Sequence, residues 1–103
     1  MNGEWTLNTI SYGPKRVNLV QTGNYAEAFW LESIPGQPIG GWALRFTISG
    51  DSITGEVNNE PDPAPNNILN YRGTITTAGT YINSEVEYPK NSGIWNSYPL
   101  SKN

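Results

Sequence analysis

The stretch that decides the fold is Trp42-Ala43-Leu44-Arg45-Phe46-Thr47-Ile48-Ser49-Gly50-Asp51-Ser52-Ile53-Thr54-Gly55-Glu56-Val57. Trp42, Leu44, Phe46 and Ile48 alternate with Ala43, Arg45 and Thr47, and Ile53, Gly55 and Val57 alternate with Thr54 and Glu56. A two-residue period is that of a strand with one buried face. A Gly-Asp pair between two such runs is a hairpin signal. With Gly50 and Asp51 as the loop, Ile48 faces Ile53, Phe46 faces Gly55 and Leu44 faces Val57. The reverse face then pairs Thr47 with Thr54 and Arg45 with Glu56. A slip of one residue would destroy both sets. Trp42 falls on the apolar face and is expected in the core.

Residues 69–88 obey the same grammar. Leu69, Tyr71, Gly73 and Ile75 form one face, and Ile82, Ser84, Val86 and Tyr88 the returning one. Taking residues 77–80 as the loop sets Ile75 against Ile82, Tyr71 against Val86 and Leu69 against Tyr88. On the polar side Arg72 meets Glu85, so both hairpins place opposite charges directly across the ladder. The two hairpins also resemble each other, as a weak internal repeat.

Further strands are expected at Trp5–Tyr12, Arg16–Gln21, Tyr25–Glu32 and Ile94–Tyr98, the last stopped by Pro99. Gly13-Pro14 ends the first, with Lys15-Arg16 as a turn flank. Phe29 and Leu31 share one face of the third, and Ala26, Ala28 and Trp30 the other. Residues 34–41 (IPGQPIGG) read as irregular. Residues 58–67 (NNEPDPAPNN) hold three prolines, two acids and no large apolar side chain, so they cannot form a central strand. The sum is an all-β chain of about eight short antiparallel strands in a meander. Such a meander closes on itself because closure removes exposed edges. A closed or nearly closed barrel is therefore predicted, with a two-sheet sandwich as the alternative.

A resemblance follows from these segments. Gly3-Glu4-Trp5 resembles the Gly-x-Trp opening of lipocalins and avidins. Ile48 to Gly55 is similar to the hairpins of small calycin-like barrels, and Gly93-Ile94-Trp95 to their closing strands. The resemblance implies a barrel and a ligand, without naming the ligand.

Composition narrows the function. A chain of 103 residues fits one domain over 1–103. Only 36 % of residues are apolar, yet there are four Trp and six Tyr, so the apolar surface is concentrated in rings with polar tips. A net charge of −3 with no basic cluster argues against a nucleic-acid partner. No apolar run approaches the ~20 residues of a membrane span. Met1 is followed by polar residues, so no signal peptide is expected, and the compartment stays unassigned. There is no Cys and no His. That removes the usual general base and the commonest metal ligands, and Glu60-x-Asp62 is too thin for calcium. No cofactor is expected.

Glu85 and Glu87 stand two apart on one strand, at the ~7 Å such spacing gives. That lies in the range of an inverting glycosidase pair. Arg72 and Asn70 opposite them favour a solvated polar face, so no catalytic role is assigned. The leading expectation is a non-enzymatic, lectin-like module. Trp30 and Trp95 lie near strand ends, and Asn91, Asn96 and Tyr98 surround Trp95. A ring can stack on the apolar face of a sugar while amides take its hydroxyls. Two alternatives remain. One is a carrier of a small apolar ligand in a lumen of Trp42, Leu44, Phe46, Tyr71 and Val86. The other is a protein-interaction or inhibitor domain. An unpaired strand edge would also permit a homo-oligomer.

Overall fold

The structure, a computed structural model, describes residues 1–59, 67–76 and 78–103. Among the described residues nine strands follow one another: β1 (Gly3–Thr9), β2 (Gly13–Thr22), β3 (Tyr25–Trp30), β4 (Trp42–Ser49), β5 (Ser52–Asn58), β6 (Ile68–Ile75), β7 (Tyr81–Glu87), β8 (Trp95–Ser97) and β9 (Leu100–Lys102). Each of β1 to β7 pairs antiparallel with the next, and β9 pairs with both β7 and β1. The result is a closed eight-strand barrel with β8 as an extra strand along β7.

Both hairpin registers agree with the alternation. Leu44 lies opposite Val57, Phe46 opposite Gly55 and Arg45 opposite Glu56. Tyr71 lies opposite Val86 and Arg72 opposite Glu85. Both ion pairs form, Arg45 Nε to Glu56 Oε1 at 3.1 Å and Arg72 Nε to Glu85 Oε1 at 2.7 Å. Inward positions carry the core, with Trp5, Trp30, Phe46 and Tyr71 as its largest fully buried side chains.

Two inward glycines set the curvature. A Cβ on Gly55 would run into the carbonyl oxygen of Arg45 and sit 2.6 Å from Phe46 Cα. A Cβ on Gly73 would sit 2.6 Å from that of Ser84. Neighbouring strands can approach this closely only where no side chain projects between them.

Several expectations are corrected. Trp42 is not core. The ladder shifts between Ala28 and Phe29, which pair with Leu44 and Trp42, leaving Ala43 as an extra residue. Ala43 and Leu44 are consecutive buried residues, so the alternation resets and Trp42 turns outward under Arg45. Lys15-Arg16 lies inside β2, where Arg16 approaches Glu4 and Glu32. The first strand stops at Thr9 and the third at Trp30. β8 does stop before Pro99, at Ser97, but a further strand, β9, follows it. Glu87 opposite Trp95 and Tyr81 opposite Ser101 show that β8 and β9 keep the same register against β7 on either side of Pro99. The acidic loop read at 58–67 falls at residues 60–66 outside the described residues. Its flanks are joined by Asn59 N–H donating to Asn67 O at 2.7 Å.

In a closed meander, alternate connections share an end. Residues 10–12, 31–41 and 88–94, with Asn59 and Asn67, therefore gather at one end, which we call the mouth. The short turns after β2, β4 and β6 lie at the other end with both termini.

Candidate functional site

The five residues singled out for a sugar platform do not share a face. Trp30 points inward and is 1 % exposed, its indole N–H donating to Gln37 Oε1 at 2.6 Å. Trp95 stands opposite Glu87 on the outer wall, where the Arg72 guanidinium covers its ring at 3.7 Å. Asn96 lies opposite the buried Val86, hence on the inner face. Tyr98 is buried. Asn91 sits in the turn after β7 at a φ of 60°, its amide oxygen accepting from Asn70 Nδ2 at 3.1 Å.

The mouth instead encloses a cavity of about 280 Å³. Ile34, Val57, Leu69 and Val86 give it an apolar base. Gln37, Asn58 and Asn59 add amides on one side, and Thr9, Ser11 and Tyr12 add hydroxyls on the other. Tyr88 completes the rim, and Tyr98 is the one member of the expected set that lines it. Tyr12 and Tyr88 remain 44 % and 49 % exposed, so both rings are open to solvent. No charged side chain lines the cavity among the described residues.

Each wall is held by bonds that the local sequence supplies. Thr9 Oγ1 donates to Gly13 O at 2.7 Å and accepts from Tyr12 N–H at 3.0 Å, which pins the turn carrying Tyr12. Ile34 and Gln37 form a bridge around Pro35-Gly36, folding both side chains into the mouth. Gln37 Nε2 donates to Asn58 O at 3.0 Å, and Asn58 Nδ2 donates to Trp42 O at 3.0 Å. This chain of amides ties residues 31–41 to the end of β5. Below it, Tyr71 donates to Ser84 Oγ at 2.6 Å and Ser84 to Tyr98 O at 2.8 Å. The Tyr71 and Tyr98 rings meet edge to face at 6.3 Å. Burial raises both phenol pKa values above the ordinary tyrosine range, so both hydroxyls stay protonated.

Glu87 requires a correction. It faces Asn70 as the register requires, but it is 7 % exposed rather than solvated. Its carboxylate accepts from Asn70 Nδ2 at 2.8 Å, Asn91 N–H at 3.1 Å and Gly93 N–H at 2.8 Å. The Asn70 amide foremost, then the Gly93 N–H, hold its pKa below the usual carboxylate value, with smaller help from Asn91 and Arg72. Glu87 thus shapes the turn that follows Tyr88. Glu85 is held by Arg72 on the outer wall.

A second, broader trough of about 500 Å³ crosses that wall, lined by Ser52, Thr54, Thr74, Asn83 and Ser97 around the Arg72–Glu85 pair. The mouth cavity went unread from sequence because its lining comes from six separated segments. One signal was available: the first, third, fifth and seventh connections of a meander must converge, and three of them are the long ones.

Comparison with protein-family models, with curated proteins and with solved structures returned no match.

Proposed function

We propose that this chain is a non-enzymatic binding module that takes one small, uncharged, hydroxyl-bearing ligand in the mouth cavity, with a single sugar ring as the leading chemistry. The carrying observation is the cavity's composition: an apolar base, amides and hydroxyls above it, two open tyrosine rings, and no charge among the described residues. A sugar has that same division between an apolar face and a polar rim. The volume lies near the lower limit of ~300 Å³ for small-molecule sites, which favours one ring over a long apolar chain. The lumen alternative has less support, because Leu44, Phe46, Tyr71 and Val86 are packed into the core and Trp42 faces out. A ligand at the open end of a closed meander accords with the calycin-like resemblance, which we adopt as part of the proposal. The non-enzymatic reading is supported by Glu85 and Glu87, whose carboxylates are both engaged in holding the barrel and its turn.

The test is titration with neutral monosaccharides, followed by amide chemical shifts. Shifts are expected at residues 9–12 and 86–88. Tyr12→Ala or Tyr88→Ala should weaken binding about tenfold, ~1.4 kcal/mol. Sugars bearing a carboxylate or ammonium should bind less well than the neutral ring. Loss of binding in Trp95→Ala with Tyr12→Ala unaffected would move the site to the outer wall. A saturating series that shifts none of the mouth resonances would end the proposal.

A further inference from the structure

Among the described residues, one edge of β8 has no paired strand. β7 and β8 exchange main-chain bonds at Tyr98 N–H to Ser84 O (2.9 Å) and Tyr88 N–H to Ile94 O (3.0 Å). Antiparallel alternation then turns the N–H and C=O of Trp95 and Ser97 away from β7. Further along, that same edge belongs to β1, where Leu7 lies opposite Leu100. The pairing stops at Pro99. Asn8 N–H donates to Pro99 O at 3.0 Å, but proline has no N–H to return. Beyond that point β1 leaves for the turn at 10–12, and no described strand pairs with the free edge of β8.

Thr9 to Tyr12 on one side of this seam, and Tyr98 at the end of its other side, also line the mouth cavity. Ile10 and Ile94 are exposed beside it, at 58 % and 57 %. Natural edges are commonly blunted by lysine or an inward charge. Ile94-Trp95-Asn96-Ser97-Tyr98 carries neither.

We propose that this seam accepts an extended segment of a partner polypeptide, which adds as a strand to the Trp95–Ser97 edge and seats an uncharged side chain in the mouth. The occupant is argued from the unmet groups themselves. Donors and acceptors that repeat every second residue along an edge are matched by another extended backbone, which supplies them at the same interval. A sugar or a lipid does not. The side chain entering beside Tyr98 must be uncharged, because no counter-charge lines the cavity among the described residues. The inference goes beyond the sugar reading and rests on the seam's main chain, so failure of every sugar leaves it standing.

The probe is a display library of random nonapeptides selected on the immobilised full chain, with the best clone synthesised and titrated. Ser97→Pro removes an edge N–H that the barrel does not use, whereas Ser97→Ala keeps it. The synthetic peptide should lose tenfold or more in affinity on Ser97→Pro and little on Ser97→Ala. Independently of any variant, the amides of Trp95 and Ser97 should exchange fast in the free protein and slow on peptide binding, while Tyr98 is protected throughout. A library without binders, equal affinity for Ser97→Pro folded as judged by near-ultraviolet dichroism, or slowed exchange only outside the seam would overturn the proposal. So would a dimer by sedimentation that protects Trp95 and Ser97 without peptide, since a second copy would then occupy the edge.

Discussion

Replacing Gln37 by leucine tests the amide chain that closes the mouth. The two side chains have similar volume, so the change removes hydrogen bonds while leaving little void. The indole N–H of Trp30 loses its acceptor at 2.6 Å, and Trp30 is almost fully buried, so no water replaces it. Such an orphaned donor costs ~2 kcal/mol. The carbonyl of Asn58 loses the donor at 3.0 Å, a smaller penalty of ~1 kcal/mol because a carbonyl has a second lone pair. The more apolar side chain returns ~1 kcal/mol. The net expectation is a loss of ~2 kcal/mol, which for a domain of this size lowers Tm by ~8–16 °C. Urea denaturation followed by tryptophan emission should show the midpoint falling with an unchanged slope. In a cycle with Trp30→Phe the two losses should fall short of additivity by ~1 kcal/mol or more, because either change breaks the same bond. A Gln37→Leu protein within ~0.5 kcal/mol of the parent, or a cycle that adds within error, would refute this account of the mouth.

Three further outcomes follow from the geometry. Gly55→Ala should destabilise by at least ~1 kcal/mol in the same denaturation assay, since displacing the Arg45 main chain outweighs the ~0.5–1 kcal/mol gained from a stiffer unfolded chain. Tyr71→Phe should cost only ~0.5–1.5 kcal/mol, because Ser84 keeps its bond to Tyr98 O. Glu87 has a lower pKa folded than unfolded, so its contribution is complete above the ordinary glutamate range and is lost as pH falls through the folded value. Stability measured on descending pH should therefore show an acid limb that Glu87→Gln flattens, with the amide shifts of Asn91 and Gly93 moving over the same interval.

The two hairpins were legible because each register satisfied two conditions at once, apolar matching inside and an Arg–Glu pair outside. Few wrong registers meet both. Trp42 departs from the alternation for a specific reason. Alternation is counted outward from the turn, and one extra residue inverts every position beyond it. Ala43 is small enough for either face, so nothing in the sequence marks the bulge. The sequence groups Trp30 with Ala26 and Ala28 without saying that this face is the inner one, and Gln37, the partner that allows its N–H to be buried, lies in a loop without periodicity. Pro99 marks the end of β8 in the sequence but hides the strand beyond it. It forfeits one bond of the ladder, and Leu100 still gains a fully buried place beyond it. The carboxylate of Glu87 looked solvated because its three donors come partly from main-chain N–H groups, which a sequence does not display.

The placement of the two chain ends has a practical side. Asn103 N–H donates to Glu4 O at 3.1 Å, and Lys102 Nζ donates to Asn2 O at 2.7 Å, at the pole remote from the mouth. An affinity handle or a surface linker fused at either end would project from the base and leave the cavity unobstructed for measurement. The same adjacency makes the chain suited to circular permutation: a short graft joining residues 103 and 1, with new ends opened at the tight turn between Gly50 and Asp51, should preserve every rung of the barrel.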